Sequence, residues 1–465
     1  MYQIDLENPV HVHFIGIGGI SMSGLALILK SRGFTISGSD REPSATTAEL
    51  EAAGIPVSCP QSADNIMPGI DLVVYTAAIH PDNPEYAAAV SAGLPMLSRA
   101  QLLGQIMRLY GCATAISGTH GKTTTTSMLS EILMYAGKDP TLSVGGMLPS
   151  IGGNVRVGGP DYFVAEACEY TDSFLEFFPD IALILNVEAD HLDYFKDLDA
   201  IRHSFARFAK LVPAEGAVVI SSDIDSWQAL TDGLSCRVYT FGSSPESDYS
   251  PEEISVGSNG FPSFIIRKKS DGSRQPVTLS VPGMHNVYNA VAAYAAADLL
   301  GVPSDQAATA LRSYHGTDRR FQIIGQYHGA TVVDDYAHHP TEIEATLRAA
   351  ADYPHERIVC AFQSHTYSRT KALLPQFADA LCLADEVLIA PIYAARETDT
   401  LGVSGETIAE EVRMRGHSCT SFESVDALEE FLRKNCRKGD LLITMGAGNL
   451  DKLAKKLVSS DITAV

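Results

Sequence analysis

Residues 112–129 read CATAISGTHGKTTTTSML. The first six suit a buried strand, GTHG a turn, and the stretch from Lys122 a helix that buries Met128, Leu129, Ile132 and Leu133 on one face. Gly-Lys-Thr at a strand-to-helix junction is a phosphate-loop signature, because helix N-terminal N–H groups and their dipole attract polyphosphate. The common spacing, G-x-x-x-x-G-K-[ST], asks for glycine at 116, where this chain has Ile116. Gly118 stands instead three residues before Gly121, so the loop is short. Gly118 and Gly121, with Thr119 and His120 between them, would curl around phosphate oxygens. Lys122 would neutralise them, and Thr123, with Thr124 behind it, would offer a hydroxyl to magnesium. A glycine turn with a solvated lysine is the plain alternative.

Outward from this loop, apolar β-rich runs alternate with helical patterns over most of the chain. VHVHFIGIG, FTISGSD and DLVVYTAAI come first, and CATAISG, YFVAEACE and IALILNV follow. ATVVDDYA, RIVCAFQ, DEVLIAPI and DLLITMGAGN complete the set. Near-continuous apolar strands separated by helices predict parallel sheets covered on both faces, an α/β fold. RVYTFG, SFIIRKK and VTLSV, within residues 236–282, are short and set among polar turns, and read as a small antiparallel insert. At 465 residues the chain exceeds one comfortable core. Boundaries are expected near 104 and 316, giving domains 1–104, 105–316 and 317–465.

Composition narrows the function. Lys plus Arg number 34 and Asp plus Glu 56, a net charge of 34 − 56 = −22, which argues against nonspecific nucleic-acid binding. The cysteines at 59, 112, 168, 236, 360, 382, 419 and 436 form no C-x-x-C pair and no zinc spacing. Free thiols, no signal-peptide pattern at the N-terminus and no apolar run near ~20 residues predict a cytoplasmic protein away from membranes.

A nucleotide site also needs acids for magnesium. Glu166 closes an apolar strand and suits that role, while Glu169 is the alternative. Glu188, Asp190, His191 and Asp193 follow the strand IALILNV, and His191 is read equally as a second-metal ligand or a capping residue. Asn286 and Asn289 share a helix face after a turn that holds His285, as N-caps or as amides reading a base. Arg319 and Arg320 suit phosphate contact across a domain boundary. Asp334, Asp335, His338 and His339 cluster at a strand end. In the first domain Gly16, Gly18 and Gly19 open a βαβ unit whose dinucleotide fingerprint is broken by Ser21, with Asp40 ending the next strand. That turn suits a phosphate or diphosphate, not NAD in particular.

HFIGIGGISMSG, GTHGKTTTT, NVEADHLDYF, PGMHNVYNA, DDYAHHPTE and FQSHTYSRT, in that order and across essentially the whole chain, resemble the Mur ligases, ATP-dependent amide ligases of bacterial cell-wall synthesis. The resemblance implies the short G-x-x-G-K-[ST] loop. It also implies three domains: a Rossmann-like N-terminal domain for a UDP sugar, a central P-loop ATPase-type domain with the antiparallel insert, and a Rossmann-like C-terminal domain that brings the amino acid. By matched position, Lys122 and Thr123 would serve ATP and magnesium, Glu166 the magnesium and His191 a second one. Asn286 and Asn289 would lie on the nucleotide side, Arg320 at the phosphates and Asp335 at the ribose, with Lys122, His191, Arg320 and Asp335 forming the catalytic set. Gly16, Gly18, Gly19 and Asp40 would contact the sugar nucleotide, His338 would be a substrate-binding residue, and His365 and Arg369 would hold the amino acid. Asp318 and Thr366 depart from many relatives. DAIRHSFARF lacks the lysine that later members carbamylate, which points to the branch joining L-alanine to UDP-N-acetylmuramate. Cofactors would be ATP and Mg2+, and the assembly a monomer or weak homodimer. A muropeptide-recycling or folate-type ligase and an NAD-dependent oxidoreductase are the rivals. The oxidoreductase leaves the phosphate loop unexplained.

Overall fold

Every strand-like run quoted above folds as a strand. The computed structural model describes residues 2–76, 78–191, 194–395 and 397–462. Contacts divide the chain into two compact units, Met1–Ser250 with Ala292–Ala307, and Pro251–Val291 with Ala308–Val465.

The first unit opens with β1 (His11–Ile15), β2 (Thr35–Ser39), β3 (Val57–Ser58), β4 (Leu72–Tyr75) and β5 (Met96–Ser98). They form a parallel sheet in the order β3-β2-β1-β4-β5. A second sheet follows from β6 (Cys112–Ser117), β7 (Thr141–Leu148), β8 (Gly153–Arg156), β9 (Tyr162–Glu166), β10 (Ile181–Ile184), β11 (Ala217–Ser221) and β12 (Arg237–Phe241). These seven strands run in the order β12-β11-β10-β6-β9-β7-β8 within a larger sheet. β6 therefore lies at the switch point, between β9 and β10, where open α/β sheets bind ligands beyond their strand C-termini. One continuous core joins the two layers, with Phe14, Leu29 and Leu103 in the same cluster as Phe163, Phe174 and Phe205. The helix Ile20–Ser31 rests so closely on β8 that a Cβ on Gly24 would collide with Val155.

Two features differ from the sequence expectation. RVYTFG is not antiparallel: β12 pairs parallel with β11, and Phe241 at its end pairs parallel with Tyr249 of the strand that follows. The polar segment before it contains the helix Trp227–Thr231, which supplies the crossover a parallel pair needs. The antiparallel hairpin β7–β8 was not anticipated, since its two glycines hide the strand pattern.

The second unit contains most of β13 (Tyr249–Val256), then β14 (Pro262–Lys268) and β15 (Arg274–Thr278), of which β14 and β15 form the expected antiparallel pair. Its main sheet has β16 (Gln322–Tyr327), β17 (Ala330–Asp335), β18 (Arg357–Phe362), β19 (Glu386–Ile389), β20 (Cys419–Ser421) and β21 (Asp440–Met445), in the order β16-β17-β21-β18-β19-β20. Only β16 runs antiparallel to its neighbour. Apolar clusters cover both faces, one around Phe362 and Phe377, the other around Leu428 and Leu442. Among the described residues no helix is long and apolar enough to cross a membrane.

Candidate active site

Ile116 is fully buried in β6, in register with Leu183 of β10 and Glu166 of β9. A glycine there would weaken the central strand, so the phosphate loop begins at Gly118. Gly118 and Gly121 have φ of +150° and +82°, the left-handed region that favours glycine. A Cβ on Gly118 would also stand 2.9 Å from the Leu185 Cβ. The loop is braced by Asn186, which accepts the His120 N–H at 2.7 Å and donates to the His120 carbonyl at 3.0 Å. The Thr119 hydroxyl accepts the Glu188 N–H at 2.9 Å. Asn186 was missed from the sequence, although a lone amide directly after an apolar strand was a signal for it.

Lys122 opens the helix Lys122–Tyr135. Its ammonium donates to the Gly118 and Thr119 carbonyls at 2.5 and 3.0 Å and lies 2.9 Å from the Glu169 carboxylate. Burial works against that charge, but Glu169 outweighs it and holds the Lys122 pKa above its ordinary value. The Thr123 hydroxyl donates to Glu166 at 2.8 Å, and the Gly145 N–H of β7 donates to the same carboxylate oxygen at 3.0 Å. Thr124 is buried one residue further along. The two acids thus divide: Glu166 stands at Thr123 and Glu169 at Lys122.

His191 has φ +53° and places Nε2 3.9 Å from Glu169 and 3.8 Å from Asp190. The Tyr170 ring lies 4.6 Å from its imidazole, centroid to centroid. Asp193 lies outside the described residues. The Thr123 hydroxyl and the Glu166 carboxylate are hard oxygen donors of the kind magnesium takes beside phosphate, whereas the His191 imidazole is a softer nitrogen donor of the kind more usual on transition metals.

The first-domain turn is closed by Asp40, which accepts the Gly18 N–H at 2.8 Å. Gly16 takes φ +84°, and Gly19 stands at the N-cap of the helix Ile20–Ser31.

In the second unit the paired arginines separate. Arg319 is structural: it meets Asp334 at 3.0 Å and the Gly446 carbonyl at 2.6 Å. Arg320 lies with its guanidinium 5.4 Å from the centre of the Tyr336 ring and acts electrostatically on Asp335. Asp335 accepts the N–H groups of Phe321 and Ala337, both at 2.7 Å, and burial pushes its pKa up to about 6. Asn286 donates to the Pro282 carbonyl at 2.7 Å, and Asn289 donates to Asn286 at 3.1 Å. Asp318, the departure before the arginines, accepts from Gln322 at 2.8 Å.

His338 and His365 face each other with ring centroids 6.0 Å apart, and His365 stacks on Tyr393 at 5.7 Å. Arg369 lies 3.4 Å from the His365 Nδ1. Burial first, then the charges of His338 and Arg369, push the His365 pKa down to about 4. Thr366, the other departure, takes φ +69° and caps the helix Tyr367–Ala372. Glu397, not singled out in the sequence, accepts the Tyr367 and Ser368 N–H groups at 2.5 and 3.1 Å.

A strand-loop-helix phosphate cradle, with acids at its strand ends and α/β domains before and after it, defines the phosphate-loop class of nucleotide-binding proteins. Three family models match in tandem: "Mur ligase family, catalytic domain" over residues 11–110, "Mur ligase middle domain" over 116–297 and "Mur ligase, glutamate ligase domain" over 319–448. The chain belongs to the Mur ligase family and is an ATP-dependent, amide-bond-forming ligase. A Lachnospira eligens protein named UDP-N-acetylmuramate–L-alanine ligase is 56% identical over 462 residues, covering 98% of this chain and 100% of the relative. The Agathobacter rectalis protein of the same name is 54% identical, with the same coverage of 98% and 100%. Among solved structures, UDP-N-acetylmuramate-alanine ligase from Thermotoga maritima aligns with a TM-score of 0.83 at 31% identity, covering 98% of this chain and 100% of that one. A murein peptide ligase from Psychrobacter arcticus aligns at 0.73 and 27% identity, over 97% and 98% of the two chains.

Proposed function

We propose that the protein joins L-alanine to the carboxylate of UDP-N-acetylmuramate, at the expense of ATP and through an acyl phosphate, in the synthesis of peptidoglycan precursors. The observation that carries this reading is the short phosphate loop that sets Thr123 against Glu166 and Lys122 against Glu169. It occurs in a chain more than half identical, over 98% of its length, to two ligases of that name.

The chemistry follows from charge. A carboxylate is a poor acyl donor at neutral pH, and phosphorylation gives it a good leaving group. The chain's part is to hold reactants within about 3 to 3.5 Å and to meet negative charge as it gathers on the transferred phosphoryl group. Lys122 supplies a fixed cation at the loop, with Gly118, Thr119, His120, Gly121 and Thr124 shaping the cradle. Thr123, Glu166 and His191 would hold Mg2+, which supplies charge neutralisation at the phosphates when bound. Arg320 serves the phosphates, Asp335 the ribose, and Asn286 and Asn289 the nucleotide side. His365 and Arg369 hold the amino acid, near His338. Gly16, Gly18, Gly19 and Asp40 shape the sugar-nucleotide end. These roles correspond to domains 1–104, 105–316 and 317–465. Eight free cysteines suit a cytoplasmic setting.

The test is an assay of ATP and UDP-N-acetylmuramate with L-alanine, glycine, L-serine and a tripeptide offered separately. L-Alanine is the expected acceptor. Preference for the tripeptide would move the protein to the muropeptide-recycling branch.

A further inference from the structure

Thr171 and Asp172 take φ of +55° and +56°, the left-handed region, one after the other. Aspartate tolerates that region, but a β-branched threonine enters it only under strain. Two anchors set the turn. Before it, Glu169 is held 2.9 Å from the Lys122 ammonium. Just beyond it, Phe174 is fully buried, stacked on Phe208 with ring centroids 4.6 Å apart and edge-on to Phe205 at 5.3 Å. The chain reverses between them by bonding to itself. The Asp172 N–H donates to the Glu169 carbonyl at 3.0 Å, and the Phe174 N–H to the Cys168 carbonyl at 3.1 Å. His191, whose Nε2 lies 3.9 Å from the same Glu169, also takes a left-handed φ, +53°. Strain of this kind survives only where the surroundings over-determine it, and it gathers at working sites.

The Asp172 carboxylate ties the two strained segments together. It accepts the Tyr194 hydroxyl at 3.2 Å, and Tyr194 donates its own N–H to the His191 carbonyl at 2.9 Å. Tyr170 lays its ring 4.6 Å from the His191 imidazole and 6.1 Å from the Tyr194 ring. The same carboxylate accepts the Ser204 hydroxyl and meets Arg207 at 3.4 Å, both on the helix Leu198–Ala209. Glu169 and His191 thus come from two loops that share one brace, and the brace is fixed to one helix. That helix does not need Asp172 as a cap, because Asp197 is its N-cap and accepts the Ala200 N–H at 2.9 Å. Nor does the pair with Arg207 repay a strained backbone, since the guanidinium is largely exposed and such pairs contribute little.

We propose that Asp172 is a positioning residue that sets the His191 imidazole against Glu169 through Tyr194. The inference rests on the reading above in which His191 helps to hold Mg2+.

Turnover, and the affinity for Mn2+ standing in for Mg2+, read by electron paramagnetic resonance with ATP present, test this on the whole chain. Asp172→Gly and Asp172→Ala both remove the carboxylate, but only alanine keeps the backbone strained. A positioning role therefore predicts the same loss in both, roughly 10-fold in kcat and in Mn2+ affinity, while the melting temperature falls further in Asp172→Ala than in Asp172→Gly. Asp172→Asn, which can still accept from Tyr194 and Ser204, should recover part of the loss. In a His191→Ala background Asp172→Gly should cost nothing more, because the group it positions is gone. Wild-type kcat and Mn2+ affinity in Asp172→Gly overturn the proposal, and so does a full, additive loss in the His191→Ala background. Losses that follow the melting temperature rather than the carboxylate also overturn it, in favour of a purely structural tie. If His191→Ala alone leaves Mn2+ affinity unchanged, the metal reading fails and the proposal falls with it. That single variant separates this case from one in which His191 matters and Asp172 does not.

Discussion

The Lys122 ammonium and the Glu169 carboxylate lie 2.9 Å apart, with side-chain exposures of only 13% and 3%. The lysine expected at the phosphates is therefore also the counter-ion of a buried acid. Lys122→Ala should lower turnover by more than ~100-fold, as the loss of a charge-stabilising group does. It should also destabilise the first unit by about 3–5 kcal/mol, since it strands Glu169. Adding Glu169→Gln should restore most of the melting temperature and none of the turnover. Near-normal kcat in a folded Lys122→Ala chain would sink the phosphate-loop assignment.

Gly145 shares the Glu166 carboxylate with Thr123. A Cβ at 145 would run into the Glu166 carboxyl group, which can swing away because it is the end of a flexible side chain. Gly145→Ala should thus move Glu166 off Thr123 and raise the magnesium concentration for half-maximal rate by roughly 10-fold, the scale of losing one oriented ligand. Thermal stability should change little. An unaltered magnesium titration curve would place the metal elsewhere.

Two groups give stability opposite dependences on pH. The folded pKa of Asp335 is raised from 3.8 to about 6, so its contribution is fully present below pH 3.8 and is lost as pH rises through 6. That of His365 is lowered from 6.5 to about 4, so its contribution is present above pH 6.5 and is lost as pH falls through 4. Relative to Asp335→Asn, the wild-type chain should lose up to about 3 kcal/mol between pH 4 and pH 6. Relative to His365→Asn it should gain over pH 4 to 6.5, by less, because solvent screens the half-buried imidazole. Urea midpoints at pH 4, 5, 6 and 7 measure both, and parallel curves for wild type and variants would contradict them.

Arg369 stands 3.4 Å from His365, on a helix whose first N–H groups are taken by Glu397. Arg369→Ala should raise the KM for L-alanine at least ~10-fold, the scale of one lost charge-assisted contact, and leave the KM for ATP within about twofold. An unchanged L-alanine KM would show that the guanidinium only packs the helix.

The phosphate loop, the quoted strands and the short G-x-x-G-K-T spacing were legible in the sequence because each depends on near neighbours. Alternating apolar runs set strands, and two glycines followed by Lys-Thr set a strand-to-helix turn, whatever lies around them. That Glu166 meets Thr123 while Glu169 meets Lys122, three residues apart on one segment, was not legible. It follows from β9 pairing with β6 and from Gly145 arriving on β7. The division of Arg319 and Arg320 likewise depends on Asp334 and on carbonyls more than a hundred residues away in sequence. β12 looked antiparallel because its own residues are silent about its partner; parallel pairing was decided by the crossover before it. Ser21 appeared only as a flaw in a motif until the fold carried Arg99 to it from 78 residues away. Covalent neighbours dictate where the backbone turns. Which side chain meets which charge is decided by contacts that exist only once the sheets have formed.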